Sequence, residues 1–105
     1  IRDYIHVNDL AKAHILAMEK MIQNKTSKLM NLGSGCGYSV LEIINNAEEV
    51  FSDKLNYEIS DRRAGDFACS ICDSSLAKNY LGWDIEFNDV KDHIRHMWNW
   101  LLRQK

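Results

Sequence analysis

The sequence of 105 residues contains no proline, only five glycines and only three cysteines. Because it has no Pro- or Gly-rich stretch and no repeat, nothing in it resembles a linker between domains. Three cysteines cannot all pair within one chain, and small disulfide-stapled domains carry more of them, so we expect a cytoplasmic protein. The chain begins at Ile1 without a methionine. We expect residues 1–105 to form a single domain that is a piece of a longer protein.

The chain also lacks an excess of charge and any long apolar run. Thirteen Lys and Arg residues stand against fifteen Asp and Glu residues, which gives a formal net charge of -2. A near-neutral domain has no electrostatic footprint for nucleic acid or for an anionic membrane. No apolar run approaches the roughly 20 residues that a membrane span needs. We therefore expect neither a nucleic acid nor a membrane as a partner.

Apolar residues at helical spacing predict four helices. The first is expected to be capped by Asn8 or Asp9 and to end near Gln23. The second is introduced by Ser39 and Glu42, which have the Ser-x-x-Glu spacing of a capping box.

The third and fourth helices follow in the last third of the chain. A short helix is expected from a cap at Asp73 to Gly82, because glycine favours the left-handed conformation that ends a helix. The last helix is expected to begin near Asn88 and to bury one apolar stripe. The members of that stripe are Val90, Ile94, Met97 and Leu101, with Trp98 beside them.

Four stretches between the helices have an extended pattern, namely residues 1–7, 29–32, 55–60 and 68–72. Strands that alternate with helices indicate the α/β class. We predict a small α/β domain with about four helices and a few short strands.

Two motifs suggest chemistry that other observations oppose. The glycine turn 33–37 lies between an extended stretch and a helix, as a dinucleotide fingerprint would, but Tyr38 occupies the third glycine position, which favours a tight turn. Cys69 and Cys72 form a C-x-x-C without the second pair that a zinc site needs, and the motif does not open a helix as redox pairs do. A metal or redox protein therefore remains only as an alternative.

Two segments that contain arginine are further candidates. Residues 61–66, DRRAGD, place two arginines and flanking carboxylates in one turn, and Arg2 stands in the extended entry. A guanidinium fits phosphate oxygens and a carboxylate accepts from ribose hydroxyls. From the residues alone, a solvated charged loop is the favoured interpretation, because surface exposure is the default for such residues.

Five segments resemble one family in their order along the chain. They are IRDYIHVNDLAKAH, MNLGSGCGYSVLEII, RRAGD, DSSLAKNYLGW and IRHMWNW. Together they are similar to the C-terminal part of the UDP-glucose 4-epimerase family, within the extended short-chain dehydrogenase/reductases. The resemblance spans almost all of the chain. It implies a small C-terminal substrate domain whose Rossmann half, with the NAD, is absent from this sequence.

The resemblance also implies functional residues. Arg2 and Arg63 match family arginines that bind the diphosphate of a UDP-sugar, and Asp66 matches the carboxylate on the uridine ribose. The implied partners are a UDP-sugar, the Rossmann domain and a second copy of the enzyme. The implied activity is the interconversion of UDP-glucose and UDP-galactose, an isomerase step in galactose metabolism.

The chain by itself lacks the catalytic parts of such an enzyme. It has no NAD-binding glycine motif, and none of its four tyrosines is followed by lysine four residues later. We therefore predict no catalytic residue, cofactor site or metal site in this chain. The alternative function is a stand-alone, truncated module that binds a nucleotide or another protein without enzyme activity.

Overall fold

The structure is a computed structural model, and residues 1–104 are described. The helices are α1 (Val7–Asn24), α2 (Val40–Phe51), α3 (Ser75–Leu81) and α4 (Val90–Arg103). Among them, α1 packs against α3 and α2 packs against α4. The four predicted helices are confirmed, and they form two pairs.

Two of the predicted helix ends are confirmed in atomic detail. The Ser39 hydroxyl accepts a hydrogen bond from the Glu42 N–H, and the Glu42 carboxylate accepts one from the Ser39 N–H, both at 3.1 Å. Gly82 ends α3 in the left-handed conformation, with φ of 67°. Both signals are local in sequence, since each depends on residues within one helical turn.

The predicted cap of α1 is wrong. His6 occupies the cap position, and its Nδ1 accepts a hydrogen bond of 3.0 Å from the Asn8 N–H. Asp9 lies inside the helix, where its carboxylate accepts from the N–H groups of Glu86 and Phe87. Asp9 is fully buried. Because its carboxylate is bonded to this distant loop, it does not cap the helix.

The last two helices begin one or two residues later than predicted. Ser74 occupies the cap position of α3, although Asp73 still accepts a hydrogen bond of 3.0 Å from the Ser75 N–H. Helix α4, expected to begin near Asn88, begins at Val90, and Asp89 caps it by accepting from the Lys91 N–H. In both cases an aspartate satisfies a backbone donor that the first turn of a helix leaves unpaired.

The extended segments pair very little. Within residues 1–104, β pairing consists of an antiparallel bridge between Arg2 and Tyr38 and a parallel bridge between Arg2 and Ser70. Segments 29–32 and 55–60 form no ladder, and 55–60 is exposed throughout. An extended segment without a neighbouring strand leaves its backbone groups to water, so propensity alone builds no sheet.

The core lies between α1 and α3, where Ala13, Ala77, Leu81 and Trp83 form one buried cluster. The stripe predicted for α4 is buried only at Val90. The rest of that helix is half exposed because, within residues 1–104, α2 is the only helix that packs against it. The exposed fractions in that stripe are 60% for Met97, 40% for Trp98 and 44% for Leu101.

Candidate functional site

The backbone of Arg2 joins two segments that are distant in sequence. Its N–H donates to the Tyr38 carbonyl at 2.9 Å, and the Tyr38 N–H donates back to the Arg2 carbonyl at 2.8 Å. On the other side, the Ser70 N–H donates to the Ile1 carbonyl at 3.0 Å. The start of the chain therefore lies between the glycine turn and the segment that follows DRRAGD.

The Asp3 carboxylate holds these segments together. It accepts from the Ser34 N–H at 3.0 Å, the Ser34 hydroxyl at 2.6 Å, the Gly35 N–H at 3.0 Å and the Cys72 N–H at 3.2 Å. Burial acts to raise the pKa of Asp3, but these hydrogen bonds outweigh it and lower the pKa below the ordinary value of 3.8. Hydrogen bonds to a carboxylate favour its charged form, so Asp3 is an anion at neutral pH.

The glycine turn is closed to a phosphate. The N–H groups of Ser34 and Gly35 donate to Asp3, and the Cys36 N–H donates to the Ser34 hydroxyl at 3.1 Å. A phosphate cradle needs such donors to face the ligand. The tight turn favoured by the sequence is therefore confirmed, and these residues do not fit the pyrophosphate of a dinucleotide.

Two of the three glycines in this turn are required by close approach. A Cβ atom on Gly33 would lie 2.4 Å from the Cβ of Cys72, and one on Gly37 would lie 2.5 Å from the Cγ2 of Ile1. Of the three glycines in this turn, only Gly35 has a positive φ, of 78°. The turn thus packs its backbone directly against the first residues and against segment 68–72.

A polar groove of about 420 Å³ opens beside this junction. Arg2 lies on its wall, together with Asn31, Ser70 and Asp73. The Arg2 Nη1 atom donates to the Ile1 carbonyl at 2.9 Å, which holds the guanidinium near the chain start. The groove combines the Arg2 cation with the carboxylates of Asp3 and Asp73 and with neutral hydrogen-bonding groups, as a site for a polar ligand does.

Arg63 and Asp66 lie together in a turn outside the walls of this groove. The Arg63 Nε atom donates to the Asp66 carboxylate at 3.0 Å, and their side chains are 85% and 33% exposed. Gly65 provides the left-handed residue of that turn, with φ of 84°. The structure therefore brings two of the three predicted site residues into contact and places the third, Arg2, in the groove.

Sequence reasoning missed Asp3 and the polar groove residues. The hydrogen-bond partners of Asp3 lie 31 and 69 residues away in the chain. No spacing rule connects residues so far apart, so the only available signal was the position of Asp3 beside Arg2.

The cysteines are free thiols, with Cys36 and Cys69 exposed and Cys72 half-buried. Burial raises the pKa of Cys72, and the negative charges of Asp3 and Asp73 raise it further. A raised pKa keeps the thiol protonated and weakly nucleophilic at neutral pH. Within residues 1–104, no three His, Cys, Asp or Glu side chains are grouped so as to hold a metal ion.

None of the helices in the described part of the chain is long and apolar enough to span a membrane.

Replacing Asp3 by asparagine should destabilise the fold and flatten its acid dependence. The hydrogen bonds that Asp3 contributes are complete above its ordinary pKa of 3.8 and are lost as the pH falls through the lowered value. We expect Asp3→Asn to lose about 2 kcal/mol at neutral pH, because hydrogen bonds to a charged acceptor are the stronger ones. Urea unfolding at neutral pH and in acid measures both effects, with the exposed Asp61→Asn as control. An Asp3→Asn chain as stable and as acid-sensitive as the control would contradict this assignment.

Comparison with known proteins finds relatives of this chain. No protein-family model matches the chain. The UDP-glucose 4-epimerase of Halalkalibacterium halodurans is 43% identical over 100 residues, which are 95% of this chain and 30% of that protein. The UDP-glucose 4-epimerase of Bacillus subtilis is 40% identical, over 95% of this chain and 29% of that protein.

Solved structures of UDP-glucose 4-epimerases also match this chain. A crystal structure of a UDP-glucose 4-epimerase superposes with a TM-score of 0.94 at 44% identity, covering 99% of this chain and 32% of that one. The chain is homologous to the C-terminal portion of UDP-glucose 4-epimerases. The family resemblance and the small C-terminal domain predicted from the sequence are thereby confirmed.

A further related structure carries ligands. The UDP-glucose 4-epimerase of Bifidobacterium longum, described in complex with NAD+ and UDP, superposes with a TM-score of 0.83 at 39% identity. The superposition covers 97% of this chain and 30% of that one. This chain spans about 30% of the length of the epimerases it matches.

Proposed function

We propose that this chain is the UDP-sugar-binding part of a UDP-glucose 4-epimerase-like enzyme that interconverts UDP-glucose and UDP-galactose. The observation that carries the proposal is the homology to UDP-glucose 4-epimerases over 95% of the chain. One related epimerase was solved in complex with NAD+ and UDP. In this proposal the chain positions the substrate and another part of the enzyme performs the chemical step. The sequence supports that division, because it contains no Tyr-x-x-x-Lys.

The nucleotide site of the proposal consists of Arg2, Arg63 and Asp66. Arg2 faces the polar groove, and Arg63 stands on an exposed turn whose Nε is paired with Asp66. We assign the Nη atoms of Arg63 to the diphosphate, because a guanidinium fork binds phosphate oxygens in pairs. We assign the carboxylate of Asp66 to the ribose hydroxyls, which donate to it.

NAD belongs, in this proposal, to the remaining part of the enzyme. The N–H groups of Ser34, Gly35 and Cys36 are taken by Asp3 and by the Ser34 hydroxyl, so these three donors are not available to a dinucleotide. NAD would supply hydride transfer at the sugar. The residues of this chain would bind the nucleotide end of the substrate and hold the sugar in register with it.

The Rossmann part is the proposed partner, and one face of α1 is the surface we assign to it. Ile15, Met18 and Ile22 recur at three- and four-residue spacing and are 53%, 55% and 71% exposed. Residues at that spacing lie on one side of a helix. A contiguous apolar helix face is typical of a surface that another element covers. The homodimer, the cytoplasmic location and the role in galactose metabolism stay predictions from the sequence.

The site assignment is tested by Arg63→Ala against its neighbour Arg62→Ala. We expect Arg63→Ala to weaken UDP binding at least about tenfold, because a charge-assisted hydrogen bond contributes about 1.5–3 kcal/mol. Arg62→Ala should change it less than about twofold, since exposed charges away from a ligand contribute little. Amide NMR of the chain during titration with UDP measures both dissociation constants.

In the wild-type titration, the shifts should cluster at Arg2, Arg63, Gly65 and Asp66. Equal losses in the two variants would contradict the role of Arg63. A spectrum that does not respond to millimolar UDP would contradict the proposal that this chain holds the nucleotide.

A further inference from the structure

Asp3 lies next to Arg2 in the extended start of the chain, and both residues line the polar groove. The backbone of Arg2 forms one bridge to Tyr38 and another to Ser70. A residue that is bridged on both sides is held as in the central strand of a small sheet. The direction in which the Arg2 side chain enters the groove therefore depends on the positions of both flanking segments.

The Asp3 carboxylate bonds to the same two flanking segments. Its Oδ1 accepts from the N–H and the hydroxyl of Ser34, and its Oδ2 accepts from the N–H groups of Gly35 and Cys72. Ser34 and Gly35 belong to the glycine turn, which leads into the first bridge, and Cys72 follows the second bridge in segment 68–72. The backbone bridges and this carboxylate thus fix both sides of Arg2.

The acceptor capacity of Asp3 is already used. Each of its two oxygens accepts two hydrogen bonds from the chain. A carboxylate offers about four acceptor sites in all. Asp3 therefore lines the groove without an acceptor site left for a ligand, so its effect on a ligand has to pass through its neighbours.

Gly33 allows this close arrangement. A Cβ atom at Gly33 would lie 2.8 Å from the Oδ2 of Asp3 and 2.4 Å from the Cβ of Cys72. The carboxylate, the glycine turn and segment 68–72 are thus in direct contact. A change at Asp3 is expected to displace one of the two segments that hold Arg2.

The charge of Asp3 has the opposite effect on an anionic ligand. A carboxylate in the wall of the groove repels a phosphate, so removal of that charge alone would strengthen the binding of a diphosphate. Loss of the hydrogen bonds would instead weaken it, because the Arg2 guanidinium would no longer be held in place. The two effects predict changes of opposite sign in the affinity for a diphosphate.

We propose that Asp3 is a positioning residue of the nucleotide site, which acts through Arg2 by holding the glycine turn and segment 68–72 on either side of it. This role rests on the proposed function, because the ligand of Arg2 is taken to be the diphosphate of UDP. The carboxylate fixes the two segments, and the Arg2 guanidinium fork then meets the phosphate oxygens.

A double-mutant cycle tests whether Asp3 acts through Arg2. Titration with UDP, followed by amide NMR, gives the dissociation constants of the wild type, Asp3→Asn, Arg2→Ala and the double variant. Arg2→Ala should weaken UDP binding about tenfold and Asp3→Asn at least about fivefold. In the Arg2→Ala background, Asp3→Asn should cause no further loss, because residues that act through one contact are not additive.

Asp9→Asn is the matched control. Asp9 is also a carboxylate that accepts backbone hydrogen bonds, and it does not line the groove. Its substitution should destabilise the fold and leave the UDP affinity of the folded chain within about twofold of the wild type. Circular dichroism gives the folded fraction of each variant, so that only folded chains are compared.

UDP binding by Asp3→Asn that is as tight as in the wild type, or tighter, would overturn the positioning role. A loss that adds in full to that of Arg2→Ala would also overturn it. If Asp3→Asn does not fold, Ser34→Ala replaces it, because this variant removes the bond of 2.6 Å and keeps the carboxylate. Ser34→Ala should weaken UDP binding about threefold, and an unchanged affinity would overturn the proposal.

A measurement without ligand separates this role from the proposed function. The Arg2 N–H donates to the Tyr38 carbonyl at 2.9 Å, and the Ser70 N–H donates to the Ile1 carbonyl at 3.0 Å. Hydrogen exchange at these two amides should be faster in Asp3→Asn than in the Asp9→Asn control. A wild type that ignores millimolar UDP would contradict the proposed function, whereas equal exchange in the two variants would overturn the positioning role.

Discussion

Replacing Asp9 by alanine is expected to destabilise the chain by about 3 kcal/mol, because two loop N–H groups would lose their charged acceptor. The carboxylate of Asp9 is fully buried and accepts from the N–H of Glu86 at 3.0 Å and from that of Phe87 at 3.1 Å. Its backbone carbonyl also accepts from the Trp83 indole N–H at 2.9 Å. Asp9 therefore ties α1 to the loop that leads into α4.

The control for this experiment lies on the same helix. Glu19 is exposed, so Glu19→Ala should change the free energy of unfolding by less than about 0.5 kcal/mol. Urea unfolding followed by circular dichroism measures both variants at neutral pH. If Asp9→Ala unfolds at the same urea concentration as Glu19→Ala, the buried carboxylate does not hold the loop.

Gly33→Ala should cost about 3 kcal/mol, at the upper end of the range for an added buried methyl group. The new Cβ would lie 2.4 Å from the Cβ of Cys72 and 2.8 Å from the Oδ2 of Asp3. The first contact requires the backbone to move, since a Cβ atom cannot rotate away. The second would disturb the carboxylate that joins the three segments beside Arg2.

Gly82→Ala separates crowding from backbone strain. Gly82 has φ of 67° and nothing within 4 Å of the position of its Cβ. Alanine at this position would be destabilising only through the left-handed conformation, which costs about 1–2 kcal/mol. Thermal unfolding of the two variants should rank Gly33→Ala as the less stable. The reverse order would mean that the turn can move away from segment 68–72.

Local signals in the sequence predicted the helices well. Ser39 and Glu42 stand three residues apart and satisfy each other's backbone groups, so their pairing is visible without any tertiary structure. Gly82 ends α3 because glycine alone adopts a left-handed conformation without steric cost. The family resemblance added the C-terminal portion of an epimerase, and with it three candidate site residues. The structure unites Arg63 and Asp66 in one turn, which their spacing also suggested.

Those local signals did not predict the contacts between segments that are distant in the sequence. Asp9, one of the two residues expected to cap α1, is buried against a loop 77 residues further on. His6 caps the helix, and its ring also contacts His96. The Asp3 carboxylate accepts hydrogen bonds from N–H groups that lie 31 and 69 residues away in the chain.

The sequence by itself determined the number of helices, the start of α2, the end of α3 and the proteins to which the chain is homologous, because helix signals act within a turn or two and the resemblance is carried by short segments. Only the tertiary structure decided which polar side chains are buried and where Arg2 lies. It also decided which apolar faces of α1 and α4 stay exposed. Burial depends on which segments meet in space, and hydrophobic periodicity describes a face without specifying what covers it.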